Sequence, residues 1–213
     1  LGGTGLPPTL NKIIESAAES FKVPPSLIYG IMFGEGAFNP GRYDWTEENV
    51  QSWSRSCSVM PNCRPGTWPS QGPVPYYESN WESVKDASKV IDPSRDPNPC
   101  NLVDVVFALA KDLKGNTGAS SFAGKTCFGI NLKTGGTNPN SCSWSNSEVE
   151  TAIKVWETGG VYACLTEKDS CATGGGMSAA CPEGGDNCEK INRRYPGEPS
   201  HNGCIWDQYQ RYK

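Results

Sequence analysis

Three residue patterns are missing from this chain, and each absence excludes a class of protein. No apolar stretch approaches the ~20 residues that a helix needs to cross a bilayer, so no membrane span is predicted. No run of Lys or Arg resembles a nucleic-acid binding surface, and the net charge is -4. The chain has a single histidine, His201, and no C-x-x-C pair. We therefore predict no metal site and no cofactor.

Cysteine, in contrast, is plentiful. The ten cysteines are an even number, and we predict that they form five structural disulfides in an oxidising compartment outside the cytoplasm. The sequence does not decide the pairing, and the short loops Cys57 to Cys63 and Cys164 to Cys171 are the simplest candidates. The chain begins without an initiating Met, and we expect the parent protein to be longer.

Most apolar residues in the first half of the chain follow the helical period. A first helix is predicted with Thr9 as its N-cap, and its apolar stripe consists of Leu10, Ile13, Ile14, Ala17, Ala18 and Phe21. A second helix is expected to begin at Pro25 and to end near Gly36. Residues 37–80 are predicted to form a long loop that cysteines tie down.

Four further helices are predicted downstream. The first covers residues 81–91, with Trp81, Val84, Ala87 and Ile91 facing inward. The second is a central, fully buried helix from Leu102, capped by Asn101 with Asp104 three residues later. The others begin at Ser147 and at Ile205. With no alternating strand pattern and no repeat, the prediction is one mainly α domain with long, disulfide-stapled loops.

Glu35 is the candidate for chemistry, because it ends an apolar helix on the same face as Leu27, Ile28 and Ile31. Burial and the negative end of the helix dipole both raise the pKa of a carboxyl group. A carboxyl group that keeps its proton near neutral pH is a ready general acid. The alternative is a glutamate at a frayed helix end that points into water.

Four segments, in order, resemble the lytic transglycosylases of the lysozyme superfamily. Residues 21–38 are similar to the family helix that ends in a catalytic Glu followed by Ser, with Gly36 at the Ser position. Residues 72–81 resemble the Gly-Pro-Met-Gln-Phe-x-Pro-Ser-x-Trp motif, with Pro75 at the Gln position. Residues 92–113 resemble the Asp-Pro to Ala-x-x-Leu element. Residues 152–162 resemble Ala-x-x-x-Tyr-Asn-x-x-x-x-Tyr, with Trp-Glu in place of Tyr-Asn.

The resemblance implies a lysozyme-like domain over residues 1–163. Residues 164–213 lie beyond it, and their Cys- and Gly-rich composition predicts a stapled appendage packed on the same domain. It implies cleavage of the β-1,4 bond between N-acetylmuramic acid and N-acetylglucosamine in peptidoglycan, with Glu35 as the single general acid and base. The partners would be glycan strands, and the location would be periplasmic, secreted or virion-associated. Such domains often belong to larger wall-spanning proteins or particles.

The same motifs suggest side chains that would contact the sugar. The candidates for substrate binding are Tyr76, Tyr77, Trp156, Glu157 and Tyr162. Other aromatic residues that could line the cleft follow Glu35 in the chain: Trp45, Trp53 and Trp68. For all of these, packing in the core is the competing interpretation, and for Trp81 it is the preferred one.

A second carboxylate near Glu35 would indicate hydrolysis, because ordinary glycosidases use two. Asp44, Glu47 and Glu48 are the nearest along the chain, and we interpret them as solvated loop charges. The main alternative to an enzyme is a non-catalytic lysozyme-like module that binds glycan or a partner in a larger extracytoplasmic assembly. Pro75 and the Trp156-Glu157 pair favour that alternative, whereas Glu35 and its glycine neighbours favour the enzyme.

Overall fold

The computed structural model describes residues 4–39, 41–114, 126–127, 130–131, 144, 149, 152, 156 and 205–213, with the strand residues and 205–208 described by their backbone only. These residues are mainly helical, as predicted. The elements in order are α1 (Pro8–Phe21), α2 (Pro25–Gly34), α3 (Glu47–Trp53), α4 (Glu78–Val84), a 3-10 helix (Lys85–Val90), α5 (Leu102–Leu113), the antiparallel strands β1 (Thr126–Cys127) and β2 (Ile130–Asn131), and α6 (Ile205–Tyr212). None of the helices described is both long and apolar enough to cross a membrane.

Helix α5 lies at the centre of the core, as its apolar sequence predicts. Its residues from Leu102 to Ala110 are all buried, and it packs against α1, α2, α3, α4 and the 3-10 helix. The ring of Phe107 meets Phe21 of α1 edge to face, with ring centroids 6.4 Å apart. This helix is the frame against which the other helices are positioned.

Helix α1 buries the predicted stripe, with its last residue, Phe21, only partly buried, but its N-cap is not Thr9. The helix begins at Pro8, whose missing N–H costs nothing in the first turn. Thr9 therefore lies inside the helix, and its backbone N–H and its hydroxyl both donate to the carboxylate of Glu47 in α3. At the other end, Lys22 adopts a left-handed φ of 55°, and its carbonyl accepts the indole N–H of Trp144 at 2.9 Å.

Asn101 caps α5, as predicted, and also holds the chain that follows α3. Its Oδ1 accepts from the backbone N–H groups of Val103 and Asp104. Its Nδ2 donates to the carbonyls of Trp53, Arg55 and Ser58. One buried amide thus satisfies the first turn of α5 and the end of α3 together.

Asp104 is fully buried and does not complete a capping box with Asn101. Its Oδ1 accepts from Nε of the buried Arg95 at 2.7 Å, and its Oδ2 accepts from the backbone N–H of Asn98 at 3.0 Å. Arg95 also donates to Oδ1 of Asn101 at 2.8 Å. This buried network attaches the connector between the 3-10 helix and α5 to the central helix.

Two predictions about local structure are wrong. The segment 37–80 is not all loop, because it contains α3, whose Thr46 accepts from the backbone N–H of Asn49. Ile91 does not face inward but is 50% exposed, although Trp81, Val84 and Ala87 are buried as predicted. At Lys85 the α-helix gives way to the 3-10 helix, and the number of residues per turn falls from about 3.6 to about 3.0. This change rotates the later side chains away from the buried face.

The disulfide predicted between Cys57 and Cys63 is also wrong. Cys63 is bonded to Cys100, and Cys57 is exposed and forms no disulfide with any residue the structure describes. The backbone N–H of Met60 donates to the carbonyl of Cys100 at 2.8 Å, which brings the Cys63 loop against the start of α5. The pair Cys164 and Cys171, like the remaining cysteine side chains, lies outside the described residues.

Two segments from late in the chain contact the first helices. Helix α6, predicted from its sequence, packs against α2, and the ring of its Tyr212 meets Tyr29 edge to face at 5.1 Å. Of the helix predicted from Ser147, the described residues Val149, Ala152 and Trp156 are helical, and the first two are buried. Residues 164–204 of the predicted appendage lie outside the described residues.

Candidate active site

Glu35 is the C-cap of α2, where the backbone closes in a Schellman motif. The N–H of Gly36 donates to the carbonyl of Phe33 at 2.9 Å, and that of Ala37 donates to the carbonyl of Met32 at 3.0 Å. Gly36 has a φ of +70°, which is the left-handed conformation that this motif requires. The prediction that the helix ends near Gly36 is confirmed, and the backbone at Glu35 is fixed by it.

Gly36→Ala is expected to lower the free energy of unfolding by about 1–2 kcal/mol, because an L-residue is strained at this φ. A Cβ at Gly36 would also lie 2.8 Å from Nδ2 of Asn39, so that side chain must move. Gly41 has a φ of +83° and open space where a Cβ would stand, which makes Gly41→Ala the control for backbone strain alone. Urea unfolding of the two variants would contradict this account if Gly36→Ala were the less destabilised of the two.

The side chain of Glu35 is partly buried, and the indole Nε1–H of Trp156 donates to its Oε1 at 2.8 Å. Burial raises the pKa of Glu35 above its ordinary value, while the Trp156 hydrogen bond and the charge of Arg42 offset part of that rise. The position at the C-terminus of α2 also disfavours the anion. The alternative of a frayed carboxylate pointing into water is therefore wrong.

Arg42 joins the segment after Glu35 to the second motif. Its Nη1 donates to the carbonyl of Glu35, and its Nη2 donates to the carbonyl of Gly72 at 2.9 Å. Gly72 itself lies so close to the connector that a Cβ would stand 2.7 Å from the carbonyl oxygen of Pro99. Sequence reasoning missed Arg42, and no signal singles it out among the loop residues.

Tyr76 and Tyr77, both predicted sugar contacts, lie in opposite environments. Tyr76 is 2% exposed and packs edge to face with Trp81 on one side and Trp156 on the other, each with ring centroids 5.9 Å apart. Burial, with the negative charges of Asp112 and Glu35, raises the pKa of Tyr76 well above its usual value. It offers no open face to a ligand and supports Trp156 instead. Tyr77 is 65% exposed.

Trp156 is half-buried and was predicted as a sugar contact, but the structure shows a direct partner that the sequence did not indicate. Its indole N–H reaches Glu35 across 121 residues of chain. The other two predicted contacts from this motif, Glu157 and Tyr162, lie outside the described residues. Trp81 is buried in the core, which confirms the interpretation preferred for it from the sequence.

Two adjoining depressions, of about 730 and 450 Å³, lie on the loops after α2 and share Gly41, Arg42, Tyr43 and Asn62. The larger extends to Trp53 and the smaller to Trp68, so these two tryptophans line concave surface. Glu35 lines neither depression, and Arg42 is the residue that links them to it. Trp45 instead packs against Phe38, Tyr43 and Trp53 and donates to the carbonyl of Ala37.

Two of the three carboxylates that follow Glu35 in the chain have hydrogen-bond partners of their own. Asp44 accepts from the side chain of Asn49. Glu47 accepts from Thr9 and from Gln51, and these hydrogen bonds hold its pKa below the ordinary value. Glu48 is exposed. Asp44 and Glu48 are exposed, as the interpretation of solvated charges requires, but Glu47 and Glu48 belong to helix α3 and not to a loop. Glu47 is partly buried and joins α3 to α1.

Comparisons with protein-family models, with curated proteins and with solved structures found no match to this chain. Function is therefore inferred from the side chains around Glu35 and from the four ordered motifs. Among the described residues, no group of three or more His, Cys, Asp or Glu side chains could hold a metal ion.

Proposed function

We propose that this chain is a lytic transglycosylase with a lysozyme-like fold, which cleaves the β-1,4 bond between N-acetylmuramic acid and N-acetylglucosamine in peptidoglycan. The observation that carries the proposal is the state of Glu35: a shielded carboxyl group, held by one donor, with a raised pKa. Its helix ends as in the family motif, and the second and fourth motifs, through Arg42 and Trp156, meet at it.

In the proposed reaction Glu35 acts twice. As an acid it transfers its proton to the glycosidic oxygen, and the bond from that oxygen to C1 of the muramic acid breaks, leaving an oxocarbenium-like sugar. The carboxylate so formed then removes the proton of the muramic 6-hydroxyl, whose oxygen bonds to C1. The product is a 1,6-anhydro sugar, and Glu35 regains its proton without the addition of water.

The surroundings of Glu35 suit both steps. Burial favours the protonated acid before cleavage, and the N–H of Trp156 and the positive charge of Arg42 stabilise the carboxylate afterwards. A single carboxyl group is enough for this route, whereas hydrolysis generally uses a second one at a set distance. The three carboxylates that follow Glu35 most closely along the chain, Asp44, Glu47 and Glu48, bind other residues or are exposed, which favours the lytic route over hydrolysis.

The disulfide between Cys63 and Cys100 supports a location outside the cytoplasm, and we propose glycan strands of the cell wall as the partner. One observation favours a second candidate, a module that binds glycan without cutting it. Pro75 stands where the family motif has Gln, and it has no side-chain amide to donate to a sugar. The following experiment separates the two.

Purified peptidoglycan would be digested with the oxidised wild-type chain and with Glu35→Gln, and the products identified by mass spectrometry. The expected result is anhydro-ended fragments, one water lighter than hydrolysed ones, from the wild type alone. Reducing ends would show a hydrolase, and equal products from both proteins would exclude Glu35 as the acid. Sedimentation of the wild type with peptidoglycan, without any product, would establish the binding module.

A further inference from the structure

We infer that Trp156 is a positioning residue that confines the acid proton of Glu35 to Oε2, so that Oε2 is the oxygen that delivers and recovers it. The inference deepens the proposed function and rests on it for the identity of the substrate, but the proton placement stands on the contacts of the chain alone. Those contacts are the hydrogen bond of the indole, the packing of its ring, and the charges that face the carboxyl group.

The direction of the indole N–H is set by packing. Ala152, four residues before Trp156 in the sequence, is buried in the core, and the ring of Trp156 meets the buried ring of Tyr76 edge to face at 5.9 Å. Tyr76 is held in turn, because its backbone N–H donates to Oγ of Ser70 at 2.9 Å and its ring packs on Trp81. A ring so held aims its N–H at Oε1 of Glu35 whatever the charge of the carboxyl group.

An indole nitrogen can donate a hydrogen bond and cannot accept one. If the proton of the neutral acid were on Oε1, its hydrogen and that of the indole would compete for the same space, and the indole donor would lose its acceptor. The proton therefore belongs on Oε2 and leaves Oε1 as an acceptor in both charge states. The tyrosine of the family motif that this segment resembles has a hydroxyl, which can donate or accept and imposes no such choice.

The other groups that act on Glu35 do not reverse this choice. Arg42 binds the backbone carbonyl of Glu35 rather than its carboxyl group and contributes positive charge. Tyr76 packs against the ring of Trp156, and burial with the charge of Asp112 keeps its phenol neutral. The single direct donor to the carboxyl group among the described residues is the indole of Trp156.

The test uses NMR of the full oxidised chain, labelled with 15N at the tryptophan indoles. The resonance of Trp156 is the one that Trp156→Phe removes. We expect it to remain protected from exchange with water at acidic and neutral pH, and to shift with the titration of Glu35, because the acceptor strengthens when it ionises. The shift should vanish in Glu35→Gln. An indole that exchanges freely at acidic pH, or that does not respond to Glu35, overturns the inference.

A second readout follows the carboxyl carbon of Glu35 itself, identified by its loss in Glu35→Gln. Trp156→Phe keeps a ring but removes the donor that stabilises the anion, so the pKa of Glu35 should rise by roughly one unit or more. Trp68→Phe makes the same change at another half-buried tryptophan and should leave that pKa unmoved. An unchanged pKa in Trp156→Phe would overturn the inference.

The two readouts do not depend on catalysis, so the proposals can fail separately. The titration as expected, with no cleavage of peptidoglycan, would retain the proton placement and exclude the enzyme. If anhydro products form but the indole resonance of Trp156 does not respond to the titration of Glu35, the enzyme is retained and the role given to Trp156 is excluded.

Discussion

Glu35→Gln is expected to slow peptidoglycan cleavage by about 10²–10⁴-fold and to make the fold more stable than the wild type at neutral pH. The loss of rate follows because a primary amide has no acidic proton to give. Gln keeps an oxygen that accepts the indole N–H of Trp156, so the packing around position 35 is preserved.

The gain in stability follows from the raised pKa of Glu35. In the folded protein the carboxyl group holds its proton more tightly than in the unfolded chain, so the wild type loses stability as pH rises from the ordinary value of 4.5 through the folded value. Each unit by which the pKa in the folded protein exceeds that in the unfolded chain lowers the free energy of unfolding by about 1.4 kcal/mol once the group is ionised. Gln is neutral throughout and does not incur this loss.

Urea unfolding of both proteins from acidic to neutral pH would measure the effect. The two stabilities should agree below the ordinary pKa and diverge above it, with Glu35→Gln the more stable. Glu48→Gln is the matched control, because Glu48 is an exposed carboxylate in the same part of the chain. We expect no change in rate and a loss of stability below about 1 kcal/mol, because Glu48 lies in the first turn of α3. A Glu35→Gln variant that is less stable at every pH would show that the charge of Glu35 is satisfied in the fold.

The second large effect is expected at the buried network of α5. Asp104→Ala should lower the free energy of unfolding by about 3–5 kcal/mol, because it leaves the guanidinium of Arg95 buried without its counter-charge. The change also removes the acceptor of the Asn98 N–H, and with it the attachment of the connector to the central helix. Thermal and urea unfolding would measure the loss.

Asp86→Ala is the control for Asp104→Ala, because Asp86 pairs with Lys89 on the surface. The same substitution there should cost less than about 1 kcal/mol. If Asp104→Ala does not fold, the double variant Arg95→Met with Asp104→Leu removes both charges and should recover a folded protein. A cost at Asp104 as small as that at Asp86 would contradict the buried network.

The features of the fold that the sequence predicted correctly are those that the spacing of nearby apolar residues determines. The stripe of α1, the start of α2 at Pro25 and the buried α5 all follow from the spacing of neighbouring apolar residues. Helix α3 was missed because its seven residues bury only Val50 and Trp53, too few to form a stripe. The outward turn of Ile91 depends on a local change of helical pitch, which no composition reveals.

The site was predictable in part for the same reason. Glu35 was found because its place on the apolar face follows from the spacing of residues in its own helix, and Trp156 because its motif resembles a known one. Neither signal could pair the two, since the hydrogen bond between them joins residues 121 apart. The disulfide between Cys63 and Cys100 could not be predicted for the same reason. It depends on the packing of the connector before α5 against the loop that holds Cys63.

Trp144, Trp156 and α6 all return to the first two helices from more than a hundred residues further along the chain. Contacts that close such long loops are late to form, because the entropy of closure is lost before the contacts repay it. Helices α1, α2 and α5 can assemble earlier. The environment that raises the pKa of Glu35 therefore includes a side chain 121 residues away, so the chemical character of the acid depends on long-range closure and not on its own helix alone.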